Sequence, residues 1–79
     1  MRTSAAKTSE IMAKEVWFDP DMMHVRLLDG RIISVPLGWL PRLRDALPGQ
    51  RDNWRFIGGG LGIHWPDLDE DISVSALLK

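Results

Sequence analysis

The chain has no cysteine, which excludes disulfide bonds and thiolate metal sites and is typical of a protein of the reducing cytoplasm. It has no excess of basic residues either, because 10 Lys and Arg face 11 Asp and Glu. A general attraction to nucleic acid or to an anionic membrane is therefore not expected. No apolar run reaches the ~20 residues of a membrane helix, and the first residues lack the apolar stretch of a signal peptide. These absences predict a cytoplasmic protein.

What the chain contains is enough for one small domain. Its 79 residues include four Trp, four Met and two Phe for a core. A domain of this size buries only ~60% of its unfolded surface, so the core has to use most of them. Residues 1–11 are mainly small and polar and are expected to form a flexible tail. A single domain is expected over residues 12–79.

The dipeptide Asp29-Gly30 lies between two alternating apolar segments and predicts a β-hairpin. A two-residue loop would mix arginines with apolar residues on one face of the hairpin. A three-residue loop, 28–30, pairs Val25 with Ile33 and gathers the apolar residues on a single face. Because a half-buried sheet favours that segregation, we predict the three-residue loop, with Gly30 in the left-handed conformation.

Three other segments have the alternation of short strands. Residues 13–18 read as a strand, with a helix as the alternative, and 54–57 and 63–65 read as two further strands. Glycines 58–60 resemble a phosphate-binding loop, but no helix opens directly after them. We therefore predict that they connect two strands.

Helical spacing recurs twice in the second half of the chain. A helix is predicted over 39–47, ended by Pro48-Gly49 and followed by one more turn at 50–53, because three leucines repeat at helical intervals: Leu40, Leu43 and Leu47. A last short helix is expected to begin between residues 68 and 74. Together these segments predict an α+β fold, in which a small antiparallel sheet with a central β-hairpin packs against one or two short helices.

Residues 62–73, GIHWPDLDEDIS, hold the densest set of chemical groups, and we interpret them as a structural motif. The carboxylates alternate as in a calcium loop, but Ile72 and Leu78 replace the glycine and glutamate that such a loop needs. We expect Trp65 to be buried, and Asp69 or a neighbouring carboxylate to cap the last helix. With the hairpin glycine, the assigned structural residues are Gly30, Gly62, His64, Trp65, Asp67, Asp69, Glu70 and Asp71.

Catalysis is not expected, so no catalytic residue, metal or other cofactor is predicted. The alternative is a small metal-dependent enzyme built on His64 and the nearby carboxylates, Asp67 and Asp69. However, the chain has only one other histidine, His24, and none of the serines at 34, 73 and 75 lies in a nucleophile elbow.

A locally basic stretch at 42–55 supplies the candidate partner-binding residues. Its arginines are expected on the solvated side, where they and the carboxylates at 67–71 can steer a partner. Trp17 lies out of phase with Val16 and Phe18, so we expect it to be the most exposed tryptophan. The candidate residues are Arg42, Arg44, Arg51, Arg55 and Trp17.

Several ordered motifs resemble the bacterial family called domain of unknown function 2442. They are LLDGR at 27–31, VPL at 35–37, WLPRL at 39–43 and the segment 62–73, and the resemblance covers roughly residues 12–78. It implies a small α+β domain with no established catalytic activity. It also implies a gene that often stands beside that of another small protein, in a toxin–antitoxin-like arrangement.

These observations predict a non-catalytic protein-binding module, an antitoxin-like regulatory partner of a co-encoded protein. One alternative is an inhibitor from a phage or mobile element that blocks a host defence complex, such as a CRISPR effector. The small metal-dependent enzyme built on His64 is the other. The expected partner is another protein, a homo-oligomer is compatible with the sequence, and neither a membrane nor direct contact with nucleic acid is expected.

Overall fold

The computed structural model describes residues 11–78 and shows six strands in two three-stranded antiparallel sheets. The first sheet contains β1 (Ala13–Phe18), β2 (Met22–Leu27) and β3 (Ile32–Pro36). The second contains β4 (Arg55–Ile57), β5 (Gly62–Trp65) and β6 (Glu70–Ser73). A helical connection, residues 37–51, joins the sheets through a 3₁₀ turn (Leu37–Trp39) and two short helices, α1 (Pro41–Arg44) and α2 (Pro48–Arg51). A second 3₁₀ turn, Ser75–Leu78, follows β6.

This arrangement is mostly β with a small helical part, which agrees with the α+β class at a coarse level. The expectation of one sheet was wrong, because the strands form two. The predicted tail, 1–11, lies outside the described residues except for Ile11, which packs against the core. Within residues 11–78, no helix has the length and apolar character needed to cross a membrane.

The first sheet has the predicted hairpin register. Val25 pairs with Ile33, and the N–H of Leu27 donates to the carbonyl oxygen of Arg31 at 2.8 Å, which closes a three-residue loop. Gly30 has a φ of +96°, a conformation that costs residues with a β-carbon free energy. The inner face therefore buries alternate residues of β2, as the period of a strand requires: Met23, Val25 and Leu27.

The second sheet is attached to the first at the glycine connection, 58–60, which joins β4 to β5 as predicted. The N–H of Ala13 donates to the carbonyl oxygen of Gly60 at 2.8 Å, so the start of β1 lies directly against this loop. Gly60 is buried and has a φ of +119°. A β-carbon there would overlap the carbonyl oxygen of Ala13, so both the conformation and the close approach require glycine.

The inner faces of both sheets contribute to one core. Its fully buried side chains come from β2, β5, α1 and the residue after β6, and they include Met23, Val25, Leu27, Leu43, Ile63, Trp65 and Val74. Trp65 was expected to be buried, and this is confirmed. Its indole N–H donates to the carbonyl oxygen of Arg51 at 2.9 Å, so the only polar atom of the side chain is satisfied.

The helical connection differs from the predicted helix over 39–47. α1 ends at Arg44, and Leu47 is extended, with φ of −70° and ψ of 151°. The residue before a proline is disfavoured in the helical region, whereas proline suits the first position of a helix. The helix therefore ends three residues before its predicted end, and Pro48 begins α2, which was expected only from residue 50.

The final segment also differs from its prediction. Residues 70–73 form β6 rather than the start of a helix, and the helical turn begins only at Ser75. Asp69 has a φ of +51°, in the left-handed region that aspartate tolerates better than most residues, and it lies in the turn that reverses the chain between β5 and β6. The carboxylates at 67–71 therefore lie in and beside a hairpin turn and do not cap a helix.

Candidate functional site

The helical connection carries the most exposed large apolar side chains of the described residues. Trp39 is 70% exposed and Leu47 is 67% exposed. Within this segment Leu37 and Leu43 are buried, and Leu40 packs against the core. A 3₁₀ turn places residues i and i+3 on one side, so Leu40 follows Leu37 inward and Trp39 is left outside.

The most exposed tryptophan is thus Trp39 and not, as the sequence had suggested, Trp17. Trp17 was expected to be the most exposed, but it is only partly exposed. Its indole stacks on the imidazole of His24, with ring centroids 5.3 Å apart, and the guanidinium of Arg26 lies 5.4 Å from its centroid. Cross-strand partners thus cover a side chain that the alternating pattern had placed in solvent.

The four candidate arginines have different environments. Arg42 donates to the carbonyl oxygen of Leu68 at 3.1 Å and lies 3.8 Å from a carboxylate oxygen of Glu70. Arg44 forms two hydrogen bonds with Asp45, and these bonds lower the pKa of the Asp45 carboxyl. Both guanidinium groups remain largely exposed. They stand on the same helical connection as Trp39.

Arg51 was expected on the solvated side, and this was wrong. Its guanidinium turns inward and donates to the carbonyl oxygens of Leu43, Arg44 and Ala46 at 3.0–3.2 Å. These carbonyl groups lie in the last turn of α1 and in the residues just after it, where carbonyl groups lack the full set of helical partners. Arg51 therefore holds α2 against α1.

Arg55 is exposed in β4 and forms no salt bridge with any residue between 11 and 78. It stands beside His64 of β5, whose other neighbour is Asp71 of β6. The Nδ1 atom of His64 is hydrogen-bonded to a carboxylate oxygen of Asp71. These three residues form one polar row across the outer face of the second sheet.

The remaining carboxylates of the 62–73 motif serve the turn and its neighbours. Asp67 accepts a hydrogen bond from the side-chain amide of Asn53 at 3.0 Å, and Glu70 faces Arg42. Between residues 11 and 78, no group of three or more metal-ligating side chains comes together. The alternative site of His64 with Asp67 and Asp69 is therefore not assembled, because the histidine is paired with Asp71 across the strands.

A second hydrogen-bonded set lies on the outer face of the first sheet. The Nδ1 atom of His24 is 2.7 Å from the hydroxyl oxygen of Ser34, and its Nε2 atom is 2.7 Å from a carboxylate oxygen of Asp19. The hydrogen bond with His24, followed by those from the backbone N–H groups of Asp21 and Met22, lowers the pKa of Asp19. The set resembles a serine–histidine–aspartate arrangement, but it lies on an open sheet face and not in an enclosing cleft. His24 of this set also stacks on the indole of Trp17.

This set was not predicted from the sequence, although part of its signal is present there. The three-residue hairpin loop also requires His24 to face Ser34, because each residue of β2 then has a defined partner in β3. Asp19 could not be placed in the same way. It reaches His24 from the turn between β1 and β2, where its carboxylate also accepts the N–H groups of Asp21 and Met22.

Comparison with known proteins supports the fold and the family. A crystal structure of a protein of unknown function from Rhodospirillum rubrum is similar, with a TM-score of 0.75 and 28% identity, over 87% of this chain and 86% of that one. An uncharacterised protein from Chromobacterium violaceum, solved by NMR, also has a TM-score of 0.75, with 21% identity over 95% of this chain and 71% of its own.

A search of curated proteins found no match. The family model described as protein of unknown function (DUF2442) matches residues 13–79, which include all six strands and the whole helical connection. The resemblance inferred from the motifs is therefore confirmed. The chain belongs to this family.

Proposed function

We propose that this chain is a non-catalytic protein-binding module, an antitoxin-like regulatory partner of a co-encoded protein, and that the helical connection is its binding surface. The observation that carries the proposal is the exposure of Trp39 and Leu47, at 70% and 67%. Two such side chains on one short segment offer a partner apolar area that the fold itself leaves uncovered.

Trp39 can contribute a large part of the binding free energy. A tryptophan can bury about 150–250 Å², and 70% of this side chain is uncovered. Covering it would remove roughly 100–175 Å² from water, which at about 25 cal/mol per Å² gives about 3–4 kcal/mol before the costs of association. Binding hot spots are enriched in tryptophan and arginine, and Arg42 and Arg44 stand on the same connection.

The identity of the partner rests on the family resemblance, which implies a neighbouring gene for another small protein. The first test is therefore co-expression of the tagged chain with the products of its adjacent genes, followed by co-purification. The affinity of a captured partner is then measured for Trp39→Ala and Leu47→Ala. We expect each variant to weaken binding about tenfold or more.

The matched control is Ile32→Ala, because Ile32 is also a large exposed apolar residue but lies on β3. It should leave the affinity unchanged. Both Trp39→Ala and Leu47→Ala should also keep the free energy of unfolding within about 0.5 kcal/mol of the parent, since both side chains are on the surface. Unchanged affinity in the Trp39→Ala, Leu47→Ala double variant would refute this surface, and the Trp17 face of the first sheet would then be tested.

A further inference from the structure

A groove of about 320 Å³ crosses the outer face of the second sheet beside the glycine connection. Gly62 of β5 forms its floor, because Gly62 pairs with Ile57 of β4 on one side and with Ser73 of β6 on the other. Leu61 extends the wall on the side of the glycine connection, and Asp71 lies two residues before Ser73 on the same face of β6. The groove is therefore apolar along its length and acidic at one edge.

The floor of the groove is open at residue 62 because glycine has no side chain. A β-carbon at Gly62 would lie 3.4 Å from the carbonyl oxygen of Ile72 and 3.8 Å from the Cδ1 atom of Ile57, which are ordinary contact distances. The backbone of Gly62 does not have a positive φ. Alanine would thus fit the strand, but its methyl group would occupy the floor of the groove.

The charge around the groove favours a cation. The Asp71 side chain lines the groove and is 66% exposed, and one of its carboxylate oxygens is hydrogen-bonded to His64. Asp67 and Asp69 lie in the turn at the other end of the β5–β6 hairpin, so Asp71 supplies the acidic edge of the groove. The guanidinium of Arg55 belongs to β4, and His64 lies between it and Asp71.

We propose that this groove receives the side chain of a lysine from a partner protein. The four methylene groups would lie over Gly62 between Ile57 and Leu61, which are 46% and 48% exposed, and the ammonium group would bond to Asp71. A lysine combines an apolar stem with a terminal cation, which matches an apolar groove with an acidic edge. The groove is too open to enclose a small molecule, so a side chain held by a protein is the better occupant.

This inference extends the proposed protein-binding function to a second surface, and it rests on that function only for the source of the lysine. The groove itself can be tested without any partner. The ¹⁵N-labelled chain is titrated with Nα-acetyl-L-lysine N-methylamide, and the backbone amide signals are followed by NMR. We expect saturable shifts of the amides of Ile57, Gly62 and Ser73, with weak affinity because a single side chain is bound.

The matched probe is Nα-acetyl-L-norleucine N-methylamide, which has an aliphatic chain but no charge. It should bind about fivefold more weakly than the lysine probe, and Asp71→Asn should remove this difference. Gly62→Ala should abolish the saturable shifts. Gly38→Ala is the control, because a β-carbon at Gly38 meets nothing within 4 Å.

Equal binding of the two probes, or unchanged shifts in Gly62→Ala, would overturn the lysine groove. If Gly62→Ala fails to fold, the Asp71→Asn comparison still decides the proposal, because that side chain is on the surface. The result is also separable from the first proposal. Failure of the titration leaves capture through Trp39 unaffected, whereas loss of partner capture in Trp39→Ala does not depend on this groove.

Discussion

The contact between Gly60 and Ala13 leads to the sharpest stability prediction. Gly60→Ala should strongly destabilise the domain, because the new β-carbon would overlap the carbonyl oxygen of Ala13 and lie 3.1 Å from its nitrogen. A residue with a β-carbon at positive φ costs about 1–2 kcal/mol. Displacing Ala13 would also break its hydrogen bond to Gly60, which contributes about 0.5–1.5 kcal/mol. The expected loss is therefore about 1.5–3.5 kcal/mol.

Gly30→Ala provides the matched comparison. Gly30 also has a positive φ, but a β-carbon there would meet nothing within 4 Å. It should lose only the conformational term, about 1–2 kcal/mol. The free energies of unfolding of the two variants are compared by urea denaturation, monitored through tryptophan fluorescence. The total stability expected for a chain of this size is roughly 4–12 kcal/mol, so both losses are measurable. Equal losses in the two variants would refute the argument that the close approach of β1 requires glycine at residue 60.

Three further predictions concern single side chains. Arg51→Met should lower the free energy of unfolding by about 1.5–3 kcal/mol, because several carbonyl groups lose a charged donor. Arg55→Met is the control and should change it little. Equal effects of the two substitutions would contradict the inward role of Arg51. Asp19 has a lowered pKa, chiefly through His24, so its contribution to the free energy of unfolding is complete above the ordinary pKa of 3.8 and is lost as the pH falls through the pKa of the folded state. Asp19→Asn should therefore reduce the loss of stability at acidic pH, measured by unfolding at a series of pH values. Asp69→Gly should be neutral or stabilising by up to about 1 kcal/mol in thermal unfolding, and a large loss would mean that the carboxylate itself holds the turn.

The sequence by itself determined the β2–β3 hairpin and its register. Residues 22–35 segregate their apolar side chains only when the hairpin has a three-residue loop, and a slip of one residue would reverse both faces. Gly30 allows the turn that this register needs, and the cross-strand pairing of His24 with Ser34 follows from the same three-residue loop. The burial of Trp65 was predictable for the same reason, since strand alternation is a local property of the chain.

Only the tertiary structure decided the conformation of residues 67–73 and which side chains of the helical connection are buried. The carboxylates of 67–71 are equally compatible with a helix start and with a turn, and the choice depended on a free edge of β5 to which β6 could pair. Trp39 is exposed because Leu37, Leu40 and Leu43 occupy the space against the core. Arg51 points inward because α1 ends at Arg44, which leaves nearby carbonyl groups able to accept its hydrogen bonds. Such contacts join residues far apart in the chain or depend on where an element stops, and local pattern carries no information about either.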